Sequence, residues 1–409
     1  MSLMPDPVLG SLDAALDPGA AATALAPHLA GLAGCRPRYV RYRPGRGLLV
    51  LYDLDLGGRS ALAHLAVLPP RRADRLWGQI EAAGLAESAR RVPELGAVAQ
   101  LFPADVRLPG LAGAMARGPA ELVRYKPGRR AVIRYPGERV VYGKLRADAA
   151  GALHVELGRR LIQLGVPTPA PLDYLPDLRM TLHEEHRGTR LAEFRGGGLE
   201  AWMEPVAASL ARLHATNVDV LPTHSMQFEI EDLRAAADVA AALLPHRRAD
   251  IENLFDGLAA GLAGVPPAAC TIHGSFHDDQ VLVGDAGVVL LDLDSAAVGH
   301  PLLDVGHFAS YLSAAGETAA RERFLGAWGA PRSVLLFESA ALLRWSSLPF
   351  RDLEPGWPAA VGTFWLVANG LEKDPSLRAA LTANARVATE RNGAGVYEAV
   401  MTELSERRA

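Results

Sequence analysis

The sequence predicts an α+β protein with two lobes, in which strand-rich units fill the first half and helices fill most of the second half. At 409 residues the chain exceeds one typical core. A strand-rich unit occurs twice before about residue 195, and apolar residues recur at helical spacing after it. We therefore expect an N-terminal cap subdomain over 1–118, a second strand-rich lobe over 119–195 and a helical lobe over 196–409.

Composition narrows the class of protein. Hydrophobic residues make up 49% of the chain and charged residues 22%, as in an ordinary globular protein. The formal net charge of -4 provides no basic footprint for nucleic acid. No apolar stretch is long enough to span a membrane, and the N-terminus lacks a cationic, apolar signal pattern. We therefore expect a protein that binds neither nucleic acid nor a membrane. Because Cys35 and Cys270 alone define no disulfide framework, we also expect it to be cytoplasmic.

The two strand-rich units are related by a constant offset of 83 residues. Residues 40–46 and 123–129 share the pattern Val-Arg-Tyr-(Arg/Lys)-Pro-Gly-Arg, and Tyr52 matches Tyr135. The same offset relates Pro93-Glu94-Leu95 to Pro176-Asp177-Leu178 and Leu108 to Leu191. The sequence of each copy predicts an extended segment, a Pro-Gly turn, two further strands, a helix and a last hairpin. Self-similarity at one offset indicates a duplicated unit.

Residues 271–308 carry the strongest signal for chemistry. His273-Gly274 opens a loop, and two short runs of branched apolar residues follow, separated by Gly284-Asp285-Ala286-Gly287. This pattern predicts a β-hairpin. Asp292 comes directly after the second run, so it is expected beside the loop. The alternative is an ordinary buried hairpin flanked by polar turns.

The order and spacing of this segment resemble the aminoglycoside phosphotransferase-like family, which includes choline, homoserine and maltose kinases. The family loop runs His-Gly-Asp, four variable residues and then Asn or Gln, followed by an Asp-x-(Asp/Glu/Gly) turn. A Gly-x-Pro-x-x-Asp segment comes next, matched here by residues 299–304. Ser275 departs from the family, because it occupies the place of the catalytic aspartate.

The resemblance implies a bilobal protein-kinase-like fold, in which the first copy is an N-lobe-like subdomain placed before the true N-lobe. It implies a nucleotide, ATP or GTP, and Mg²⁺ bound by Gln280 and Asp292. Lys144, on the third strand of the second copy, becomes the phosphate-binding lysine. Glu156, in a helix predicted over 148–164, becomes its partner. The alternative for Lys144 is a solvated lysine on an edge strand.

Three further residues are assigned to nucleotide binding by the same resemblance. Arg129 lies in the Pro-Gly turn that covers the phosphates in kinases, where cationic side chains can replace backbone amides. Glu184 and Glu185 lie where the last strand of the lobe runs into the hinge. The alternative for the turn is a charged hairpin tip. The first copy carries His64 in the place of Lys144, if its hairpin holds three extra residues.

The loop contains other candidates besides His273 and Ser275. Either Asp278 or Asp279 can stand in for the missing base if the loop bends differently, and His277 matches a histidine common in the family loop. The alternative is that both aspartates are turn residues exposed to water. Asp304 is expected to hold the loop by accepting hydrogen bonds from the backbone or from His273.

The remainder of the chain is predicted to be helical. His214, at the end of a helix over 199–215, is interpreted as a packed histidine. The tryptophans of the second half are expected in the core rather than in a substrate pocket. Helical patterns cover 230–264, 314–329, 333–346, 357–372, 374–390 and 394–407.

The pattern leaves three classes of function. The first is an ATP- or GTP-dependent phosphotransferase acting on a hydroxyl of a small molecule, such as a sugar or an aminoglycoside. The second is a pseudokinase that binds nucleotide and transfers little phosphate, which Ser275 favours. The third is a repeat-built scaffold without a ligand, which the presence of Lys144 in only one copy disfavours. The acceptor and the choice between ATP and GTP stay open.

Overall fold

The computed structural model describes residues 6–10, 12–218, 220–285 and 287–373. The helices predicted over 374–390 and 394–407 lie outside the described residues. The chain divides into two compact units. Unit 1 holds the described residues up to Val155, together with Pro171–Glu185 and Phe350–Pro355, and unit 2 holds the others.

Unit 1 contains two five-stranded antiparallel sheets with equivalent strand orders. The first sheet has the order β1-β2-β3-β5-β4 and the second has the order β6-β7-β8-β10-β9. The strands are β1 (Leu32–Arg43), β2 (Gly47–Leu56), β3 (Ser60–Val67), β4 (Ala89–Val92), β5 (Ala97–Leu101), β6 (Glu121–Lys126), β7 (Arg130–Tyr135), β8 (Val141–Arg146), β9 (Pro171–Leu175) and β10 (Met180–Glu184). The helices that accompany them are α1 (Leu12–Leu16), α2 (Pro18–Leu25), α3 (Pro70–Ala82) and α4 (Leu111–Met115), and α5 (Gly151–Gln163) begins in unit 1 and continues in unit 2.

The hydrogen-bond registers of the two sheets correspond at the offset seen in the sequence. Arg43 pairs with Gly47 in the first sheet, and Lys126 pairs with Arg130 in the second, 83 residues later. Both Pro-Gly turns hold their glycine at φ 65°, in the left-handed region that glycine adopts without strain. The helices α3 and α5, each of 13 residues, occupy the same place in the two copies.

One expected correspondence is wrong. In the second sheet Val132 pairs with Lys144, and in the first sheet its counterpart Leu49 pairs with Ala66. Ala66, not His64, is therefore the counterpart of Lys144. The offset falls from 83 before this hairpin to 78 after it, so the first copy carries five extra residues rather than three. His64 is buried, and its Nδ1 lies 3.1 Å from the hydroxyl of Tyr125.

Each Pro-Gly turn of unit 1 is fixed by a buried aspartate. Asp6 accepts hydrogen bonds from the Tyr42 hydroxyl at 2.8 Å and from the turn glycine N–H at 2.7 Å. Asp105 does the same for the Tyr125 hydroxyl at 2.9 Å and the other turn glycine at 2.7 Å. Burial acts to raise the pKa of Asp6, but these hydrogen bonds outweigh it and leave the pKa below its usual value.

The two sheets of unit 1 share a hydrophobic core. Side chains of both sheets meet in one buried cluster, which includes Tyr39 and Leu51 from the first sheet and Ile133 and Leu145 from the second. Because side chains alternate along a strand, Lys144 lies on the opposite face of its sheet from Leu145.

Unit 2 is mostly helical, with two small sheets. The strands are β11 (Thr189–Arg190), β12 (Cys270–Ile272), β13 (Val281–Gly284), β14 (Gly287–Leu290) and β15 (Ala297–Gly299). The helices from here on are α6 (Met203–His214), α7 (Met226–Leu243), α8 (Arg248–Ala263), α9 (Leu302–Ala314), α10 (Thr318–Trp328), α11 (Val334–Trp345), α12 (Leu348–Arg351) and α13 (Trp357–Lys373). The hairpin predicted in the loop segment is confirmed as β13 and β14. The α+β class, strand-rich and then helical, is therefore confirmed. No helix of the described residues is both long and apolar enough to cross a membrane.

Helix α9 was not predicted from the sequence. Ten of its 13 residues are buried, among them Asp304 and His307. A helix that is buried almost all round lacks the alternation of apolar and polar faces by which helices are recognised in a sequence. This helix carries the aspartate that the candidate site depends on.

Candidate active site

The loop after β12 is held by one carboxylate, as the sequence predicts. Asp304, in the first turn of α9, accepts the backbone N–H of His273 at 2.6 Å and that of Gly274 at 2.9 Å. His214 donates through Nε2 to the same carboxylate at 3.0 Å. Burial acts to raise the pKa of Asp304, but the bonds from His214 and His273 outweigh it and hold the pKa below its usual value. A charged, fully buried carboxylate therefore fixes the start of the loop.

Gly274 is required where the loop turns. Its φ is +79°, and a Cβ at this position would collide with the carbonyl oxygen of Ser295. Ser275 follows directly and is partly exposed. The hydrogen bond from the Gly274 N–H to Asp304 therefore also fixes the backbone position from which the Ser275 side chain extends.

His273 ties the loop to the end of β14. The ring is buried, and its Nε2 donates to the carbonyl of Leu291 at 2.8 Å. The N–H of Leu291 in turn donates to the carbonyl of Gln280 at 2.8 Å. Asp292 comes next in the chain, so the loop and the predicted metal-binding aspartate are positioned by the same short network.

Gln280 and Asp292 lie together, as predicted. The Gln280 Nε2 is 3.5 Å from the Asp292 Oδ2, and both side chains are partly exposed. Asp292 adopts φ 59° and ψ 47°, a left-handed conformation that aspartate tolerates better than most residues. Because a half-turn of an amide exchanges its nitrogen and oxygen, this pair can offer an amide oxygen and a carboxylate oxygen to one cation.

This donor set fits magnesium better than a fully protein-built metal centre. The described residues contain no group of three or more His, Cys, Asp or Glu side chains with metal-binding geometry. Mg²⁺ is commonly held by one or two carboxylates together with substrate phosphates and water. Gln280 and Asp292 therefore suit an ion that arrives with a nucleotide.

His277 packs behind Gln280. Its Nε2 lies 3.2 Å from the Gln280 Nε2, and its ring stacks on Tyr311 with centroids 4.5 Å apart. Burial, followed by the nearby His273, lowers the pKa of His277 to about 3. The ring is therefore neutral near pH 7, and its Nε2 accepts the hydrogen bond from the Gln280 amide.

Asp278 is held in a buried ion pair. Arg195 donates to its two carboxylate oxygens at 2.7 and 2.8 Å, and the aspartate side chain is 0% exposed. The interpretation of Asp278 as a turn residue exposed to water is wrong. Asp279 is exposed, 3.9 Å from Arg190, in agreement with that interpretation. Arg195, 83 residues away from Asp278 in the chain, was not recognised from the sequence.

Removal of the Arg195 charge is expected to destabilise the loop. Arg195→Met would leave Asp278 buried without a counter-ion, and breaking such a pair costs about 3–5 kcal/mol. We expect the free energy of unfolding to fall by an amount near the lower limit of this range, because the Arg195 side chain is 39% exposed. Urea unfolding of the wild type and the variant measures the difference in their free energies of unfolding.

The matched control is the double variant Arg195→Met/Asp278→Asn, which removes both charges. It should recover a large part of the loss, since no unpaired charge stays buried. If Arg195→Met unfolds at the same urea concentration as the wild type, Asp278 does not depend on Arg195.

Four of the five residues predicted to bind nucleotide lie in unit 1, on strands, at a strand end or in a turn. The fifth, Glu156, lies in unit 2. Lys144 lies in β8, opposite Val132 and Thr181. Arg129 is exposed in the second Pro-Gly turn, and Glu184 is exposed at the end of β10. Glu185 accepts a hydrogen bond from the Tyr142 hydroxyl at 3.2 Å.

Glu156 lies in α5, where its side chain is exposed, and this helix agrees with the one predicted over 148–164. Its pairing with Lys144 stays a prediction.

Comparison with protein families places a match over the middle of the chain. The model of the phosphotransferase enzyme family matches residues 122–342, just over half of the chain. The matched segment begins in β6 and includes the loop after β12, the β13–β14 hairpin and α9. A search of the curated proteins gave no match.

Solved structures give more distant likenesses. A choline/ethanolamine kinase family protein from Mesorhizobium loti aligns with 71% of this chain and 95% of its own, at 15% identity and a TM-score of 0.48. Aminoglycoside phosphotransferase APH(3'')-Id from Streptomyces rimosus aligns with 56% of this chain and 96% of its own, at 20% identity and a TM-score of 0.44. Choline kinase from Cryptosporidium parvum aligns with 65% and 92%, at 9% identity and a TM-score of 0.46. Likenesses of this strength identify no acceptor.

Proposed function

Because the chain belongs to the phosphotransferase enzyme family, we propose that it binds a nucleoside triphosphate with Mg²⁺ and transfers the terminal phosphoryl group to a hydroxyl of a small molecule. The observation that carries the proposal is the arrangement around Asp304. One buried carboxylate holds His273 and Gly274, and the same network sets Gln280 beside Asp292. No part of this arrangement is needed for an ordinary hairpin.

Each residue of the loop has a separate task in this proposal. Bound Mg²⁺ would neutralise charge on the phosphates. Gln280 and Asp292 would hold the ion, and His273 would keep the loop attached to the strand that ends at Asp292. In unit 1, Lys144 and the turn residue Arg129 would bind phosphates, and backbone groups near Glu184 and Glu185 would bind the base.

Ser275 makes the transfer slow in this proposal. A serine hydroxyl donates or accepts a hydrogen bond but is no base near neutral pH. Phosphoryl transfer passes through a loose transition state, so positioning and electrostatics supply most of the catalysis. An acceptor hydroxyl oriented by Ser275 can therefore react without a carboxylate, at a reduced rate.

A second candidate function is a nucleotide-binding pseudokinase. The observation that favours it is the ion pair between Asp278 and Arg195, which commits the carboxylate nearest to Ser275 in the chain to a structural contact. In this alternative Lys144, Gln280 and Asp292 still bind nucleotide and metal, and no acceptor is phosphorylated.

Transfer of labelled phosphate distinguishes the two functions. The full chain is incubated with Mg²⁺ and γ-labelled ATP or GTP, together with a panel of sugars and aminoglycosides. Label in an acceptor, above a control without enzyme, supports the phosphotransferase. Nucleotide binding by calorimetry with no label in any acceptor supports the pseudokinase. Absence of both binding and transfer would contradict both.

A further inference from the structure

Unit 1 contains a cavity of about 180 Å³ that is lined by none of the side chains proposed to bind nucleotide or metal. Its walls come from the first three strands of the first sheet, from the first strand of the second sheet and from the segment at residues 350–355. Tyr39 and Tyr125 contribute aromatic surface, and further wall is apolar. The cavity is lined by none of Lys144, Gln280 and Asp292.

The polar lining of this cavity is mainly cationic. Arg38, Arg124 and Lys126 face a single carboxylate, that of Asp352. Asp352 already pairs with Arg351 at 3.1 Å. The exposed Arg38 side chain lies 3.4 Å from Asp53, a weak ion pair at the protein surface.

Neither Arg124 nor Lys126 forms an ion pair in the part of the chain that the structure describes. Arginine and lysine side chains clustered in this way repel one another unless an anion lies among them. The cavity lining therefore carries three cations against one carboxylate, Asp352, which already pairs with Arg351.

The surroundings of Lys126 disfavour its charged form. Burial, followed by the charge of Arg351 and then those of Arg124, Arg130 and Arg129, lowers its pKa to about 7. A half-buried ammonium surrounded by guanidinium groups is costly to keep charged. A bound anion would offset that cost, so its binding and protonation of Lys126 should favour each other.

We propose that this cavity binds a small tetrahedral dianion, either inorganic phosphate or the phosphate group of a small phosphorylated molecule. Arg124 and Lys126 supply charge-assisted hydrogen bonds to its oxygens. The aromatic surface of Tyr39 and Tyr125 contacts a short carbon portion where one is present. The site lies in unit 1 and takes its ligand in addition to the nucleotide.

Sulfate is the first probe, because its charge does not change between pH 6 and pH 8. Calorimetry measures its affinity at constant ionic strength, with chloride as the balancing ion. A lysine of pKa about 7 is about nine-tenths charged at pH 6 and one-tenth charged at pH 8. We therefore expect the wild type to bind sulfate up to about tenfold more weakly at pH 8.

Two variants and one matched control test the lining residues. Lys126→Met should weaken sulfate binding at pH 6 by at least tenfold and remove its pH dependence. Arg124→Met should weaken binding and leave the pH dependence in place. The control is Arg43→Met, the position equivalent to Lys126 in the first sheet, which does not line the cavity and should bind as the wild type does. Thermal unfolding checks that each variant is folded.

The ligand source is distinguished at pH 7 with inorganic phosphate and glycerol 3-phosphate as probes. Tighter binding of glycerol 3-phosphate assigns the cavity to a phosphorylated small molecule, and equal or tighter binding of inorganic phosphate assigns it to the free ion. Wild-type protein that binds no sulfate, or folded Lys126→Met that binds it unchanged, would overturn the proposal. So would displacement of sulfate by a non-hydrolysable ATP analogue, because the anion would then occupy the nucleotide site.

Discussion

Ser275→Asp is expected to increase phosphoryl transfer to the acceptor by about 10²–10⁴-fold, the usual contribution of a general base. Gly274 is fixed by its hydrogen bond to Asp304, so an aspartate at 275 would begin from the backbone position that the loop already defines. Its carboxylate would orient the acceptor hydroxyl and accept its proton. Turnover is measured for wild type and variant with the same acceptor and nucleotide.

Ser275→Asn is the matched control for this increase. Asparagine has the shape of aspartate and can accept a hydrogen bond, but it does not accept a proton near neutral pH. An increase seen only with aspartate therefore reports a base, whereas an equal increase with asparagine reports better orientation.

A base elsewhere in the loop would give a different pattern. If Asp278 served as the base, wild-type turnover would already be high, Asp278→Ala would abolish it, and Ser275→Asp would bring no gain. That result would end the missing-base explanation. We expect instead that Asp278→Ala lowers stability through the unpaired Arg195.

Much of the site could be predicted because its residues are close in the sequence. The spacing of His273, Gln280 and Asp292 reflects a short loop and a hairpin, and local structure of that kind is determined by turn glycines and branched residues. The link from Asp304 to the loop was also expected. It spans only about thirty residues and follows from the family pattern.

Contacts between distant segments could not be predicted. The partner of Asp278 is Arg195, and nothing near either residue in the sequence indicates the other. The sequence suggested His64 as the counterpart of Lys144, whereas the strand register shows that Ala66 is. A sequence comparison cannot tell how many residues a hairpin loop has gained. Only the strand register, set by hydrogen bonds across the sheet, decides that question.

The correspondence between the two sheets extends further than the matching letters of the sequence. Asp6 lies 36 residues before its tyrosine partner and Asp105 lies 20 residues before its own, so no single offset relates them. The two aspartates nevertheless make the same two hydrogen bonds to a tyrosine hydroxyl and a turn glycine. A common offset is lost when one copy gains residues, whereas the hydrogen bonds that a turn requires are kept.

Asp292→Ala is expected to reduce the affinity for nucleotide in the presence of Mg²⁺ to the value measured without the ion. Gln280 is neutral and cannot hold a hard cation alone, since Mg²⁺ favours carboxylate oxygens. Calorimetric titration with and without Mg²⁺ measures the effect. Asp285→Ala is the matched control, because Asp285 is exposed in the turn of the same hairpin. Unchanged Mg²⁺-dependent affinity in Asp292→Ala would mean that another residue holds the ion. Equal loss in both variants would point to damage of the hairpin instead.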